Sequence, residues 1–356
     1  MYQRLRTAHL ERAARQTRAT ILYVERSYDF DSSAAAGLDL VQAGVLRAPW
    51  LVLRSGVSTL EVNEPLVRRR LLRTVLTVGA ARLGGLVRRG RVQVVAHAIE
   101  NRDPFGGQAL SVLGRVRRII DWQLTCALAA QLDRLSFGTT MAEDLYGQLL
   151  GTQLKKTRSA LVEELPAPCA CLARGERSPT PIVAFVGAFD ERKGVRQLLQ
   201  AWSSMSFDET HAELRLIGKG PLTEEVLAAA ERMVNVSVQI DPPREQMHET
   251  LRAATVLVLL SQPRPRWREQ VGLPIVEGLS HGCEIVATDQ TGLHEWLRAH
   301  GHTVVAPSMA SQALGEHIMA ALRSARPRAE ILQSLPHVEG RIRADEWLFT
   351  PREHTP

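Results

Sequence analysis

Arg268-Glu269-Gln270-Val271-Gly272-Leu273-Pro274-Ile275-Val276-Glu277-Gly278-Leu279-Ser280-His281-Gly282 is the stretch on which the reading of this chain turns. It follows a short run of valine and leucine at 256–260 that reads as a buried strand, and it opens a helix predicted over 274–281. Pro274 suits the first helical position, where its missing N–H costs nothing. Gly272 and Leu273 then present backbone N–H groups that have no intrahelical acceptor, at the positive end of the helix dipole, which makes an anion site. Glu269 lies just outside the helix and Glu277 about one turn inside it. Carboxylates accept hydrogen bonds from vicinal hydroxyls. A diphosphate on the amides, with one carboxylate toward a sugar and the other toward a ribose, is therefore a coherent arrangement.

Working outward, the same alternation of strand and helix fills the second half of the chain. Strands are predicted at 182–186, 213–217, 236–240, 256–260 and 284–287, and helices at 195–205, 222–234, 244–254 and 274–281. The first half has predicted strands at 20–24, 50–53, 58–62, 92–97 and 134–137, with long helices at 66–87 and 109–132. Such alternation builds parallel sheets from βαβ units. Between the halves, Leu165-Pro166-Ala167-Pro168 and the run from Gly175 to Pro181 hold turn formers without periodicity, the mark of a linker. The 356 residues exceed a single core. The expected division is an N-terminal domain with linker at 1–175, a C-terminal domain at 176–340, and a tail at 341–356. The expected fold class is α/β, and ligands in such sheets sit outside the carboxyl ends of the strands, here in a cleft.

Hydrophobic residues make up 45% and charged residues 23% of the chain, as in an ordinary folded protein. No uninterrupted apolar run approaches the ~20 residues of a membrane span. Residues 1–18 are Arg-rich and lack the apolar block of a secretory signal, so a cytoplasmic location is expected. Up to residue 165 there are 24 Lys and Arg against 15 Asp and Glu; beyond it there are 20 against 23. The positive first half suits a phosphate-bearing partner or the inner, anionic face of a membrane. Its arginines cluster at Arg68-Arg69-Arg70, Arg73, Arg88-Arg89, Arg91, Arg115, Arg117 and Arg118, faces that can lie on an anionic bilayer but more often mark ordinary amphipathic cover helices. Nucleic acid is not an expected partner, since aromatics are 5% and no stacking platform or zinc framework is visible. The cysteines are Cys126, Cys169, Cys171 and Cys283. Cys169-Ala170-Cys171 is spaced too tightly for a common zinc knuckle, with no second Cys/His pair nearby, so ordinary reduced thiols and no metal site are expected.

The segment from Glu269 to Glu277 resembles the E-x7-E signature of family-4 retaining glycosyltransferases. Gly282, then Glu284-Ile285-Val286-Ala287-Thr288-Asp289 and Gly292, continue the likeness. Upstream, Phe185-Val186-Gly187-Ala188-Phe189-Asp190-Glu191-Arg192-Lys193-Gly194 resembles that family's strand and Lys-Gly loop, and Ile217-Gly218-Lys219-Gly220-Pro221 the next strand-end turn. The likeness covers roughly 180–310. It implies a GT-B fold, two Rossmann-like doubly wound domains facing across a cleft. It also implies a hexosyltransferase that moves sugar from a nucleoside diphosphate to a hydroxyl with retention, in polysaccharide or glycolipid assembly. No metal or other cofactor is implied; the partners would be the nucleotide-sugar donor and a saccharide or lipid-linked acceptor.

Carried residue by residue, the resemblance gives Glu269 the donor sugar, Gly272 and Leu273 the diphosphate, Glu277 the ribose and Lys193 the leaving group. Gly187 lies in the first donor loop. In the first half, His97 matches the place of an active-site histidine, with Glu100 and Asn101 beyond it and Glu64 in a nearby loop as acceptor-side candidates. Two features depart from the pattern. Ala188 stands where an arginine pairs with the lysine, leaving Arg192 as the substitute charge. Glu25-Arg26-Ser27-Tyr28-Asp29-Phe30-Asp31-Ser32-Ser33 replaces a Gly-Gly turn after the first strand. The rival expectations are a non-catalytic nucleotide-sugar-binding or membrane scaffold, and a sugar-nucleotide epimerase.

Overall fold

The structure, a computed structural model, describes residues 1–27, 30–68, 71–107, 111–205, 211–265 and 267–350. Arg69, Arg70, Tyr28 and Asp29 of the sequence reading, and the end of the tail from 351, lie outside the described residues. The chain forms two units: Met1–Glu163 with Arg341–Pro356, and Glu164–Gly340. The boundary falls before the predicted linker because that stretch is tied into the second unit. Gly340 N–H donates to the Leu165 carbonyl at 2.8 Å, Cys169 N–H to Ser280 at 2.8 Å, and Ser178 N–H to Ala253 at 3.1 Å. The 1–175 and 176–340 limits are corrected accordingly.

The strands of the first unit are β1 (Tyr2–Leu5), β2 (Ile21–Arg26), β3 (Leu40–Gln42), β4 (Thr59–Val62), β5 (Gln93–Ala98), β6 (Arg134–Phe137) and β7 (Arg158–Leu161). They make two wholly parallel sheets, β1-β2-β3 and β4-β5-β6-β7. The predicted strand at 50–53 is instead part of a helix, Arg47–Arg54. A four-residue apolar run does not distinguish strand from helix. Here Pro49 sits in the first turn, where proline is tolerated, and Ala48 and Val52 are buried one turn apart while Trp50 faces solvent. Strands β1, β3 and β7 escaped the sequence reading because each is only three or four residues long and holds at most one fully buried side chain.

The tail is not separate. The helix Gly340–Phe349 packs in the first unit, where Arg134 Nη1 donates to the carbonyls of Trp347 at 2.6 Å and Thr350 at 2.8 Å. Those are C-terminal helix carbonyls that lack intrahelical donors, and a cation there also meets the negative end of the dipole. Asp345 accepts the Thr17 N–H at 2.9 Å, and Arg341 pairs with Glu61 on β4.

The two long helices run Leu71–Val87 and Val112–Ala129. Several arginines on them and in the adjoining loops are structural rather than a basic coat. Arg68 binds Asp121 at 2.6 Å, Arg82 and Arg91 bind Asp133 at 3.0 and 2.9 Å, and Arg118 donates to the Gly107 carbonyl at 2.5 Å. Both helices also expose large apolar side chains: Leu72, Leu76, Leu83, Leu86 and Val87 on one, and Val112, Leu113, Val116, Ile119 and Ile120 on the other. Both sets follow the helical period, so each is a stripe on one face.

The second unit contains β8 (Ile182–Val186), β9 (Glu213–Gly218), β10 (Val236–Ile240), β11 (Val256–Leu259), β12 (Glu284–Thr288) and β13 (Thr303–Val305). Their order is β10-β9-β8-β11-β12-β13, all parallel. Strands β8, β11 and β12 are buried along their whole length, which explains the uniform Val, Ile, Leu, Ala and Phe content of β8 and β11 and of the middle of β12. The strand order reverses between β8 and β11. At such a switch point the loops leaving adjacent strands part in opposite directions and open a crevice at the carboxyl ends.

Candidate active site

Three chain segments meet at that switch point. From the end of β8, Gly187 passes within van der Waals reach of Pro274: a Cβ built on it would lie 3.8 Å from the ring. The chain then turns through Asp190, whose Oδ1 accepts the Arg192 N–H at 2.9 Å, into a short 3-10 turn, Glu191–Lys193. The Arg192 carbonyl accepts the Gln262 N–H at 2.9 Å, which fastens this loop to the exit of β11. Gly194 closes it in a left-handed conformation, φ 74°.

The result is an ion pair between Lys193 Nζ and Glu269 Oε2, their side chains 11% and 12% exposed. Ser261, just past β11, adds its hydroxyl to the same carboxylate oxygen at 3.2 Å. Trp267 lies under both cations, with the Arg192 guanidinium 4.9 Å and the Lys193 ammonium 5.4 Å from its ring centre. A tryptophan face holds such cations through its quadrupole. Arg192 also contacts Asp190 at 3.5 Å.

Beyond Glu269 the chain reaches Gly272, at φ 88° and ψ 71°, as the cap of the helix Leu273–Ser280. Pro274 is in the first turn, and the Ile275 N–H is the first to close on the Gly272 carbonyl, at 2.8 Å. Thr291 Oγ1 steadies the cap by donating to the Val271 carbonyl at 2.7 Å. The amides of Gly272 and Leu273 thus stand at the helix entry beside Gly187 and one short loop from Lys193 and Glu269. Burial raises the Glu277 carboxyl above its ordinary range, an effect that the Arg244 guanidinium partly offsets. Arg244 opens the helix after β10, so Glu277 lies on the side of the site that β10 feeds. Gly187, Arg192, Lys193, Glu269, Gly272, Leu273 and Glu277 therefore gather at one end of one sheet. Trp267, Ser261 and Asp190 were not singled out from sequence. An aromatic two residues before Glu269 was the one available signal.

The first-unit candidates are placed differently. His97 is on β5, and its Nδ1 lies 2.8 Å from Ser136 Oγ on β6, its partner in register. Glu100 accepts the Arg102 N–H at 3.2 Å, and Asn101 is 4% exposed. Glu64 points inward: one oxygen receives the Ile99 and Glu100 amides at 3.0 and 3.1 Å and the Tyr146 hydroxyl at 3.0 Å. It anchors the loop after β5 rather than presenting a carboxylate to an acceptor. Burial pushes its carboxyl up from 4.5 to about 7 despite those donors. The folded state then binds more protons than the unfolded between those values, so this group's contribution to stability falls as pH rises through that window. Relative to wild type, Glu64→Gln is expected to gain stability from pH 5 to pH 8, on the order of 2 kcal/mol, read as the change with pH in the gap between the two melting temperatures. A gap that does not move would mean the carboxyl titrates normally.

The two cysteines of the predicted linker are not isolated. Cys169 and Cys171 meet His248 and His281, with one ligand atom from each of the four lying within 4.8 Å of every other. The expectation of no second Cys/His pair nearby is corrected: the histidines are 79 and 110 residues away in sequence.

Residues 180–324 match the family described as "Glycosyl transferases group 1". No curated protein matches the sequence. Among solved structures, the lipopolysaccharide outer core galactosyltransferase WaaB in its apo form superposes at a TM-score of 0.66 with 11% identity over 98% of each chain. WaaG, a glycosyltransferase involved in lipopolysaccharide biosynthesis, gives 0.57 with 14% identity over 98% of this chain and 100% of its own. Anabaena Alr3699/HepE in complex with UDP-glucose gives 0.58 with 12% identity over 98% and 94%. At these identities the likeness speaks for the fold. Residues 180–324 thus resemble the glycosyl transferases group 1 family, and the chain that carries them has the GT-B fold of two Rossmann-like domains.

Proposed function

We propose that the protein is a family-4-type retaining hexosyltransferase that takes a nucleoside-diphosphate sugar as donor and a saccharide or lipid-linked hydroxyl as acceptor. The observation that carries the reading is the Lys193–Glu269 pair beside the Gly272 helix entry at the β8/β11 switch point. The diphosphate rests on the Gly272 and Leu273 amides with Gly187 close by, and Lys193, seconded by Arg192, neutralises its growing charge as the sugar departs. Glu269 orients the sugar, Glu277 receives the ribose hydroxyls, and the acceptor attacks from the face the leaving group quits. His97 is the candidate from the first unit, and no metal takes part in the transfer. The HepE structures bound to UDP and UDP-glucose support a uridine nucleotide as the first donor to try.

Thermal shift against UDP, GDP and ADP tests the binding half. A ligand at 100 times its Kd stabilises by about 2.7 kcal/mol, so one of the three is expected to raise the melting temperature by several degrees. None doing so would sink the reading. A radiolabelled sugar nucleotide then separates the rivals: transfer or slow hydrolysis releases free nucleoside diphosphate, whereas an epimerase leaves it bonded to sugar. A non-catalytic scaffold draws support from Ala188, and it would bind the nucleotide and release nothing.

The exposed apolar stripes of the first unit support peripheral contact with the inner face of a membrane. Leu113 is 83% and Leu86 76% exposed, with Arg115 and Arg117 exposed beside the former. Apolar faces with neighbouring arginines bind anionic interfaces. The protein is expected to float with vesicles containing anionic phosphatidylglycerol and much less with neutral phosphatidylcholine. Leu113→Glu with Ile120→Glu should weaken that binding about tenfold or more, given ~1.5–3 kcal/mol per buried leucine or isoleucine. Equal flotation of the variant would refute this contact.

A further inference from the structure

We infer that Cys169, Cys171, His248 and His281 are the four ligands of a structural zinc ion in the second unit, independent of the reading above. The Cys169 and Cys171 sulfurs lie 3.2 Å apart. Cys169 Sγ is 3.4 Å from His248 Nδ1, Cys171 Sγ is 3.1 Å from His281 Nε2, and the two imidazole nitrogens are 3.1 Å apart. A tetrahedral zinc with bonds of about 2.3 Å to sulfur and about 2.0–2.1 Å to nitrogen sets its ligand atoms roughly 3.3–3.8 Å from one another. The four groups are therefore gathered around one point at close to the spacing such an ion imposes. Two thiolates balance a divalent cation, and a sulfur and nitrogen donor set in this shape selects zinc over magnesium or calcium.

The supporting contacts favour ligation. His281 Nδ1 lies 2.7 Å from the Glu277 carbonyl. That contact places the ring proton on Nδ1 and turns the Nε2 lone pair toward Cys171, the outer-sphere arrangement common to metal-bound histidines. His248 would ligate through Nδ1 with its Nε2 protonated. The 3.2 Å contact from Arg244 Nε to that Nε2 is then one the loaded site gives up to solvent. The ion would staple the segment that holds Cys169 and Cys171 to the helices Arg244–Ala253 and Leu273–Ser280, the latter at the end opposite Gly272.

The test is metal content of the full-length protein, expressed with zinc supplementation and purified under reducing conditions. The expected result is one zinc per chain, with cobalt substitution giving the tetrahedral d–d and thiolate charge-transfer bands. Chelation should lower the melting temperature, and zinc should restore it. Cys169→Ser with Cys171→Ser should bind less than a tenth as much zinc. His248→Ala, altering a half-exposed residue, gives a second variant should the double one fail to fold. Absence of zinc after reconstitution, a different metal, a Cys169–Cys171 disulfide by mass, or full zinc content in the variants would each overturn the assignment.

Discussion

Lys193→Met is expected to cut kcat/KM by about 100- to 1000-fold, the range seen when one preorganised electrostatic contact to a transition state is removed. The loss should fall mainly on kcat, because charge on the departing diphosphate grows as the sugar bond breaks, and only interactions that strengthen in the transition state accelerate the step. Lys193 is also half of a nearly buried ion pair, so the same change takes the counter-charge from Glu269 and should lower stability. Removing one partner of a buried pair costs about 3–5 kcal/mol; the residual exposure of these two side chains argues for less.

A double variant separates the two effects. Lys193→Met with Glu269→Gln removes both charges, and its melting temperature should recover toward wild type while activity stays lost. Kinetics and melting curves on the four proteins of this cycle give the coupling directly. If Lys193→Met keeps kcat within a factor of about ten, the ion pair is architecture and the leaving group is stabilised elsewhere. Arg192 on Trp267 would be the first place to look.

Much of this site was open to reading because its signals are local. Pro274 at a helix start, Gly272 before it and two glutamates eight residues apart around them depend on a dozen consecutive residues and on rules of helix ends that need no tertiary contact. The Lys193 loop was legible for a similar reason, since a strand followed by Gly, Asp and Lys-Gly describes one turn. Strands β8 and β11 were legible too, because they are buried along their whole length and read as unbroken apolar runs.

What escaped the reading depends on distance along the chain. Glu64 resembled an exposed loop carboxylate until Tyr146, 82 residues on, closed over it. The linker cysteines lacked partners within any window that spacing rules inspect. The tail read as weakly patterned because Arg341 and Asp345, charged positions that suggest a solvent face, are among its buried residues. Their partners Glu61 and Thr17 lie near the other end of the sequence. The arginines of the first unit show the same limit: the sequence left open whether they form a basic face or belong to amphipathic cover helices, and only the fold shows Arg68, Arg82, Arg91 and Arg118 tied to Asp121, Asp133 and the Gly107 carbonyl.

Gly194→Ala is expected to damage the second unit more than any other single methyl group considered, and it tests whether backbone shape alone fixes Lys193. Two costs combine there. The position is left-handed, at φ 74° and ψ 24°, which costs a residue with a Cβ about 1–2 kcal/mol. A Cβ would also lie 2.1 Å from the Leu260 carbonyl oxygen and 2.6 Å from Leu260 Cβ. Those atoms belong to the exit of β11 and cannot swing aside as the end of a flexible side chain would, so the loop or the strand must move, at a further ~1–3 kcal/mol. At about 2–4 °C per kcal/mol for a unit of this size, the melting temperature should fall by roughly 5–20 °C.

Gly301→Ala is the control within the same unit. It has nearly the same φ, 76°, but its new Cβ would meet nothing closer than Arg326 Nη1 at 3.4 Å. It should show only the conformational cost, a few degrees. The difference between the two variants isolates the contact with Leu260. Any Gly194→Ala protein that remains folded should also lose transfer, because displacing the turn moves Lys193 away from Glu269, and a shift of about 1 Å in a charged positioning group costs on the order of a hundredfold in rate. Equal melting temperatures for the two variants would show that the Lys-Gly turn has room to relax. The placement of Lys193 would then have to come from its pairing with Glu269 rather than from the glycine.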